Sequence, residues 1–335
     1  MNRRRALLSV YDKTGLVELG KTLHDAGLEL VASGGTARTL LGAGLAVTEV
    51  ADATGSPEIL GGRVKTLHPV IHGGILARPN AEHLDELARH DITPVDVVVC
   101  NLYPFVETVA RPGVTESEAI EEIDIGGVTL LRAAAKNFER VVVLCDPDDY
   151  AGVGAAIAEG SLGAEQRRSL ALKAFLHTAS YDAAISNWLG GRVDGEEDLP
   201  QTLCLTAERG EVLRYGENPH QRGALYRWTG GGQAFEQLQG KALSFNNLVD
   251  LEAAWAMPAE FSGPAVAIIK HTNPSGLATA DDVVSAFQAA LACDPISAFG
   301  SIIAVNREVT LEFIEAVGKL FVEVIIAPSF TDEAL

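Results

Sequence analysis

The chain has 335 residues, 47% of them apolar, and its 45 acidic against 26 basic residues give a formal net charge of −19. That length suits about two domains, each with a real core, and the acidity excludes a broad nucleic-acid-binding surface. The longest apolar runs, such as Val95–Cys100, are strand-length and far short of a membrane span, so an anionic small molecule is the partner to look for, held by a local basic pocket.

The first residues, Met1-Asn2-Arg3-Arg4-Arg5, are basic and lead into Ala6–Val10. The apolar part is too short for a signal peptide and runs directly into Tyr11-Asp12-Lys13-Thr14, so it reads as a first strand. Leu16, Leu19, Gly20 and Leu23 fall on one face of a helix over Leu16–Ala26. Leu28–Ala32 is the next strand, followed by Ser33-Gly34-Gly35-Thr36 and a short helix from Ala37. Val95–Cys100 and Val141–Cys145 are continuous apolar runs between polar turns, as strands buried on both faces of a parallel sheet require. Val128–Lys136, Asp148–Ala158 and Ala164–Trp188 read as helices. The alternation predicts an α/β fold with a doubly wound parallel sheet.

Gly190–Pro200 is Gly-rich, acidic and without apolar period, and reads as a linker between a domain over 1–189 and a second block over 201–335. In that block Thr202–Leu205, Ala265–Ile269, Ser301–Val305 and Val322–Ala327 are strand-like. Leu248–Met257, Asp281–Ala292 and Thr310–Val317 are helix-like. The closing Thr331-Asp332-Glu333-Ala334-Leu335 has the N-cap and first-turn acids of a starting helix, the mark of a piece of a longer protein. The four cysteines, Cys100, Cys145, Cys204 and Cys293, are scattered without a CxxC pair, which suits a reducing cytosol and offers no zinc signature.

The most informative stretch is Gly61-Gly62-Arg63-Val64-Lys65-Thr66-Leu67-His68-Pro69-Val70-Ile71-His72-Gly73-Gly74, which sets two His, an Arg and a Lys between Gly pairs with no acid. Gly pairs let backbone N–H groups approach a ligand, and cations among them suit an anion. His68 and His72 have the i,i+4 spacing of a metal pair, but Pro69 between them and the absent HExxH glutamate argue for packed turn residues instead. Ser33-Gly34-Gly35-Thr36 lies where a helix N-terminus offers free N–H groups, either as an anion site or as an ordinary capped turn. Asp12-Lys13-Thr14 follows the first strand in the same way, so both junctions can line one crevice. Asn101 and Tyr103 leave the end of the Val95–Cys100 strand, where Tyr103 either packs on Pro104 or donates to a developing oxyanion. Asp124, ahead of Gly126, Gly127 and the helix ending at Lys136, is either a residue favoured by the helix dipole or the acid–base partner of Lys136 across a pocket. In the second block, Arg214-Tyr215-Gly216-Glu217-Asn218-Pro219-His220-Gln221 is polar and bent, and Lys270-His271 ends an apolar strand ahead of a loop, Thr272-Asn273-Pro274-Ser275-Gly276, shaped by Pro and Gly; the dyad is either a constellation suited to general-base work or a turn with a fortuitous His.

Taken in order, the Ser33, Gly61, Asn101, Asp124, Arg214 and Lys270 motifs resemble the bifunctional purine-biosynthesis family that joins IMP cyclohydrolase to AICAR transformylase. The resemblance runs along essentially the whole chain. It implies a methylglyoxal-synthase-like α/β domain that cyclises formyl-AICAR to IMP with loss of water, needing no cofactor and no metal. Lys65, Tyr103, Asp124 and Lys136 match the family's catalytic positions, with the choice of base and acid left open. Ser33, Gly35, Thr36, Arg63 and Thr66 match its nucleotide-binding positions, and Asn101, Gly126 and Gly127 sit within the matching motifs. The second block resembles the first half of a cytidine-deaminase-like transformylase that takes its formyl group from 10-formyltetrahydrofolate. There His271 matches the base, Lys270 its electrostatic partner, Arg214 and Tyr215 phosphate-side contacts, and Asn247, Phe299 and Gly300 positions around the nucleotide. Ser275 stands where the family often has another small residue. The family's transformylase is much longer than the stretch after residue 200, which implies a partial domain without efficient formyl transfer. A cytoplasmic homodimer acting on the nucleotides AICAR, formyl-AICAR and IMP, with no nucleic acid or membrane partner, completes the expectation. A methylglyoxal-synthase-like lyase and a non-catalytic phosphate-sensing module are the competing readings, since one fold supports all three.

Overall fold

The structure is a computed structural model that describes residues 4–193, 201–229, 231–232 and 234–335. Two compact units divide the chain, Met1–Thr206 and Ala207–Leu335. Of the expected linker, residues 190–193 finish a long helix and residues 194–200 lie outside the described residues.

The strands of the first unit are β1 (Arg4–Ser9), β2 (Leu28–Ala32), β3 (Val47–Glu49), β4 (Val97–Cys100) and β5 (Val142–Leu144). Its helices are α1 (Leu16–Asp25), α2 (Gly34–Gly42), α3 (Val50–Thr54), α4 (Pro69–Leu76), α5 (Ala81–Arg89), α6 (Phe105–Val109), α7 (Glu116–Glu121), α8 (Gly126–Lys136), α9 (Tyr150–Glu159) and α10 (Ala164–Val193). The strands pair in parallel in the order β3-β2-β1-β4-β5, with Ala6 opposite both Leu30 and Val97. The chain steps outward from β1 to β3, then returns to lay β4 on the other side of β1. Parallel crossovers are right-handed as a rule, which sets the helices of the two halves on opposite faces, and the carboxyl ends of β1 and β4, where the order reverses, are where such sheets hold their ligands. Burial on both faces explains the unbroken apolar run of β4, all four residues of which are buried. Among the described residues no helix is long and apolar enough to cross a membrane.

The second unit holds an antiparallel pair, β6 (Ala207–Val212) with β7 (Ala224–Trp228), and a mixed sheet. Its sheet runs β11-β10-β8-β9, built from β8 (Ala265–Lys270), β9 (Asn273–Thr279), β10 (Ser301–Val305) and β11 (Val322–Ile326). Helices α11 (Phe245–Ala259), α12 (Val283–Cys293) and α13 (Leu311–Val317) cover it. Alternate residues serve the two faces: Val266, Ile268, Ile303 and Val305 meet Phe287 and Phe313, while Ala267, Ile269, Ile302 and Ala304 meet Leu251 and Ala254. Three expectations after residue 200 fail. Thr202–Leu205 is irregular, and without a strand partner it leaves Leu203 and Leu205 exposed; pairing begins at Ala207. Asn273–Gly276, expected as loop, pairs with β8 through a bulge. Residues 331–335 make a single turn, with the Ala334 and Leu335 N–H groups donating to the Thr331 carbonyl at 3.0 and 3.1 Å.

Candidate active site

The carboxyl end of the first sheet gathers an anion cradle. Ser33 caps α2 in extended backbone, but its side chain makes no capping bond, so the first N–H groups of α2 are left for a ligand. Two lysines flank this terminus. Lys13 Nζ donates to the Val10 and Tyr11 carbonyls, both at 3.0 Å, and lies 3.6 Å from where a Gly35 Cβ would be. Lys65 Nζ lies 3.2 Å from the corresponding point on Gly34 and 3.5 Å from Glu58. Burial pulls the Lys13 ammonium below its ordinary value, a cost that a bound anion would offset.

Glycine at 61 and 62 has a local cause. Both residues take positive φ, 66° and 93°, and a Gly62 Cβ would sit 2.8 Å from Lys65 Cε. The Gly61-Gly62 turn therefore makes room for the Lys65 stem. The Gly73-Gly74 pair, expected to approach a ligand, lies instead inside α4, where a Gly74 Cβ would be 2.7 Å from the Thr93 carbonyl. His68 caps α4, its Nδ1 accepting from the Val70 N–H at 3.2 Å, as its packed-turn reading anticipated.

Asp124 sits just ahead of α8. Its Oδ1 accepts from the Gly127 N–H at 2.7 Å, and the Tyr103 N–H also donates to its carboxylate. Burial pushes the carboxyl above the usual carboxylate range, against the pull of those two N–H groups. A Gly127 Cβ would meet Asp124 Oδ2 at 2.5 Å and Leu102 at 2.8 Å, so only glycine fits there. Beside it Thr66 is buried, its Oγ1 3.3 Å from where a Gly126 Cβ would be, which brings the Lys65 segment against the Asp124 turn. Burial, then the neighbouring Asp124 charge, raises the Tyr103 phenol, so it stays a hydrogen-bond donor at neutral pH. Its ring packs edge-on to Tyr11 at 5.9 Å.

Two expected residues serve the scaffold. The Thr36 hydroxyl accepts from the Val10 N–H and donates to the Val10 carbonyl, both at 3.1 Å. Asn101 Oδ1 accepts from the Tyr11 and Asp12 N–H groups at 2.6 and 3.0 Å, and its Nδ2 donates to the Asp12 carbonyl, tying the loops after β1 and β4 together. Arg63 is exposed and ion-paired with Glu121. Lys136 is not brought to Asp124: it ends α8, exposed, while Asp124 precedes that helix. At 1.5 Å per residue the two are roughly 18 Å apart.

The sequence did not mark Tyr181 of α10. Its hydroxyl accepts from the Asp124 N–H at 2.8 Å and donates to the Glu122 carbonyl at 2.6 Å, clamping the turn that carries the carboxylate. Tyr181→Phe strands both backbone groups, at a cost of about 1–3 kcal/mol. The expected outcome is a lowered denaturation midpoint together with reduced turnover; a variant matching the parent in both would deny the clamp.

In the second unit, Lys270 ends β8 and its Nζ donates to the Phe299 carbonyl at 2.8 Å. His271 and Thr272 form the β8–β9 turn with φ of 52° and 61°, positive values that non-glycine residues seldom take. The Thr272 N–H donates to Asp250 of α11 at 2.8 Å. Gly300, at φ 72°, donates its N–H to the Phe321 carbonyl, and exposed Phe299 packs on Phe321 at 5.4 Å. The Arg214 guanidinium lies 5.0 Å from the Tyr215 ring centre, and the Tyr215 carbonyl accepts from the Phe245 N–H at the start of α11. Asn247 completes the Ser244 capping box, so its side chain is committed to the helix start. The unit thus brings Lys270, Phe299 and Gly300 together.

Comparison with known proteins fits this architecture. The family model for the AICARFT/IMPCHase bienzyme matches residues 134–335, and that for the MGS-like domain matches residues 15–129. The chain is similar to the bifunctional purine biosynthesis protein PurH of Chloroflexus aurantiacus, with 54% identity over 99% of this chain and 64% of that protein. PurH of Cutibacterium acnes is 50% identical over 99% of this chain and 65% of its own length. The chain therefore spans just under two thirds of these relatives. A solved structure described as that of ForH is similar at 39% identity and TM-score 0.52, covering 57% of this chain and 98% of that one.

Proposed function

The chain belongs to the AICARFT/IMPCHase bienzyme family, and we propose that its first unit cyclises formyl-AICAR to IMP. The carboxamide nitrogen attacks the formyl carbon and gives up one proton, the formamide nitrogen gives up another as the ring C=N bond forms, and the formyl oxygen leaves as water. Such a reaction needs an anchored nucleotide, a proton acceptor and a donor to the developing oxyanion. The nucleotide phosphate rests on the α2 N-terminus between Lys13 and Lys65, beside Ser33 and Gly35. Asp124 handles protons at the carboxamide, and Tyr103 donates to the oxyanion. The observation that carries this reading is the half-buried Asp124 carboxylate, fixed by Gly127 and Tyr103 in a turn against which the Lys65–Thr66 segment packs. A phosphate-sensing module would need the cradle but no desolvated carboxylate near it.

The reading extends to a cytoplasmic homodimer, with Lys136 outside the Asp124 site of its own chain. In the second unit it assigns Lys270 and His271 to formyl transfer from 10-formyltetrahydrofolate to AICAR, with Arg214, Tyr215, Phe299 and Gly300 around the nucleotide. No cofactor or metal is assigned to the cyclisation.

Ultraviolet detection of IMP formed from formyl-AICAR by the purified 335-residue chain tests the reading; a folded sample no faster than the uncatalysed reaction refutes it. Lys13→Gln is expected to raise the Michaelis constant roughly tenfold to a hundredfold with a smaller change in turnover, because a charge-assisted hydrogen bond is worth about 1.5–3 kcal/mol. Arg63→Ala, which removes an exposed ion-paired side chain, is expected to do much less. Steady-state kinetics of the two variants side by side separates cradle from surface charge.

A further inference from the structure

Three arginines gather at the end of the first sheet opposite the candidate active site. Arg4 opens β1, Arg140 lies just ahead of β5, and Arg167 belongs to the first turn of α10. Together with Asp96 they line a cavity of about 100 Å³, walled elsewhere by apolar side chains such as Val142 and Leu162. By a measure in which one water takes about 10–15 Å³, this holds several waters or one tetrahedral oxyanion, but no nucleoside.

The charges in this cavity are not balanced. The chain carries 45 acidic residues to 26 basic ones, yet among the described residues none of these arginines is ion-paired within 4.0 Å. Arg140 spends its donors on main-chain carbonyls of Ala77, Val95, Gly74 and Ile75. Arg167 gives one N–H to the Arg140 carbonyl at 3.3 Å, and the Arg4 side chain has no hydrogen-bond partner among the described residues. Asp96 is the one carboxylate in the lining, and its Oδ2 accepts from the Arg5 N–H at 3.1 Å. Burial lowers Arg140 and Arg167, and the Arg4 charge lowers Arg167 further. Asp96 raises Arg140 and Arg167 in turn, but one carboxylate stands against three guanidinium groups, and that surplus of cations with spare donors is what an oxyanion neutralises.

We propose that this cavity is a second anion site, taking a small oxyanion of the phosphate class and separate from the candidate active site. The two sites are set apart by the length of β1, six residues or roughly 20 Å.

The test is calorimetric titration of inorganic phosphate, at fixed ionic strength, into the 335-residue chain carrying Lys13→Gln and Lys65→Gln. Those substitutions empty the α2 cradle, and Arg214→Gln added to the same chain removes the phosphate-side cation assigned to the second unit, so binding that remains reports on the three cavity arginines whatever becomes of the cyclisation reading. One phosphate per chain is expected, weakened at least tenfold by adding Arg4→Gln and Arg167→Gln and largely retained with Arg4→Lys and Arg167→Lys. Ribose 5-phosphate as a second titrant separates the sources: affinity equal to or above that of phosphate indicates a phosphate ester, and weaker binding the free anion. No phosphate binding, binding indifferent to the arginine-to-glutamine changes, or the same response to sodium chloride would each overturn the proposal.

Discussion

Asp124→Asn is expected to lower turnover of formyl-AICAR by about 10²–10⁴-fold, the range for a positioned acid–base group, with little change in the Michaelis constant. The substitution keeps the shape of the side chain, and the amide oxygen can still accept from the Gly127 N–H that now holds Oδ1 at 2.7 Å. What it removes is the negative charge and the proton-accepting oxygen. The pH profile carries an independent signature. Burial sets the Asp124 carboxyl above its ordinary value, so the protonated form persists to higher pH than in a free side chain. Turnover that needs the carboxylate is then lost as pH falls through that raised value, giving an acid limb that Asp124→Asn abolishes. Stability runs the opposite way. A carboxyl with a raised folded value contributes stability below its unfolded value, and that contribution disappears as pH rises through the folded value. Thermal melts of Asp124→Asn at neutral pH should therefore show no loss against the parent. Turnover within a few-fold of the parent, with the acid limb unchanged, would remove Asp124 from the chemistry.

The elements that were legible in the sequence share one physical feature: their burial is the same all round or strictly periodic. β4 and β10 read as unbroken apolar runs because both faces are covered, and in the structure every residue of each is buried. Residues 47–89 hid β3, α3, α4 and α5 because these elements are short or obey local chemistry. α4 begins at Pro69 and carries the helix-poor pair Gly73-Gly74, of which Gly74 is demanded by close packing on the Thr93 carbonyl. β9 begins Asn273-Pro274-Ser275-Gly276, a turn by composition. Its pairing with β8 overrides that preference, and its place at the sheet edge accommodates Pro274.

The site was legible in part for a related reason. The Ser33 motif stands at the β2–α2 junction, which topology carries to the sheet end, while Lys65 and Asp124 stand in the turns that lead into α4 and α8. The lysine pairing was harder to see: Lys13 and Lys65 meet at α2 only because β1 and β2 are neighbours and the Gly61-Gly62 turn folds Lys65 back. Tyr181 gave no signal, since its role depends on how α10 returns across a turn 57 residues upstream. The expected pairing of Lys136 with Asp124 misled in the opposite sense. Lys136 belongs to the same contiguous motif as Asp124, and the helix between them carries it to the far end.

Gly276→Ala is expected to disrupt the second unit. Gly276 is buried on β9, opposite Ile268. A Cβ there would lie 1.9 Å from the Ala290 carbonyl oxygen and 2.7 Å from its carbon, and both are backbone atoms of α12 that no rotamer change can move aside. The helix would have to lift off the sheet, and with it Phe287 and Ala290, which close the core over Val266 and Ile268. Overpacking usually costs about 1–3 kcal/mol when side chains can yield; against a fixed backbone the loss should reach or exceed the top of that range. Gly263→Ala is the matched control, because nothing lies within 4 Å of its Cβ position. Urea unfolding followed by tryptophan fluorescence should show the Gly276→Ala transition shifted to much lower denaturant, or its cooperativity gone, with Gly263→Ala close to the parent. The first unit has its own core around β1 and β4, so cyclisation should survive the Gly276 change. Equal midpoints for the two glycine variants would mean that α12 does not rest on β9 as closely as the structure has it.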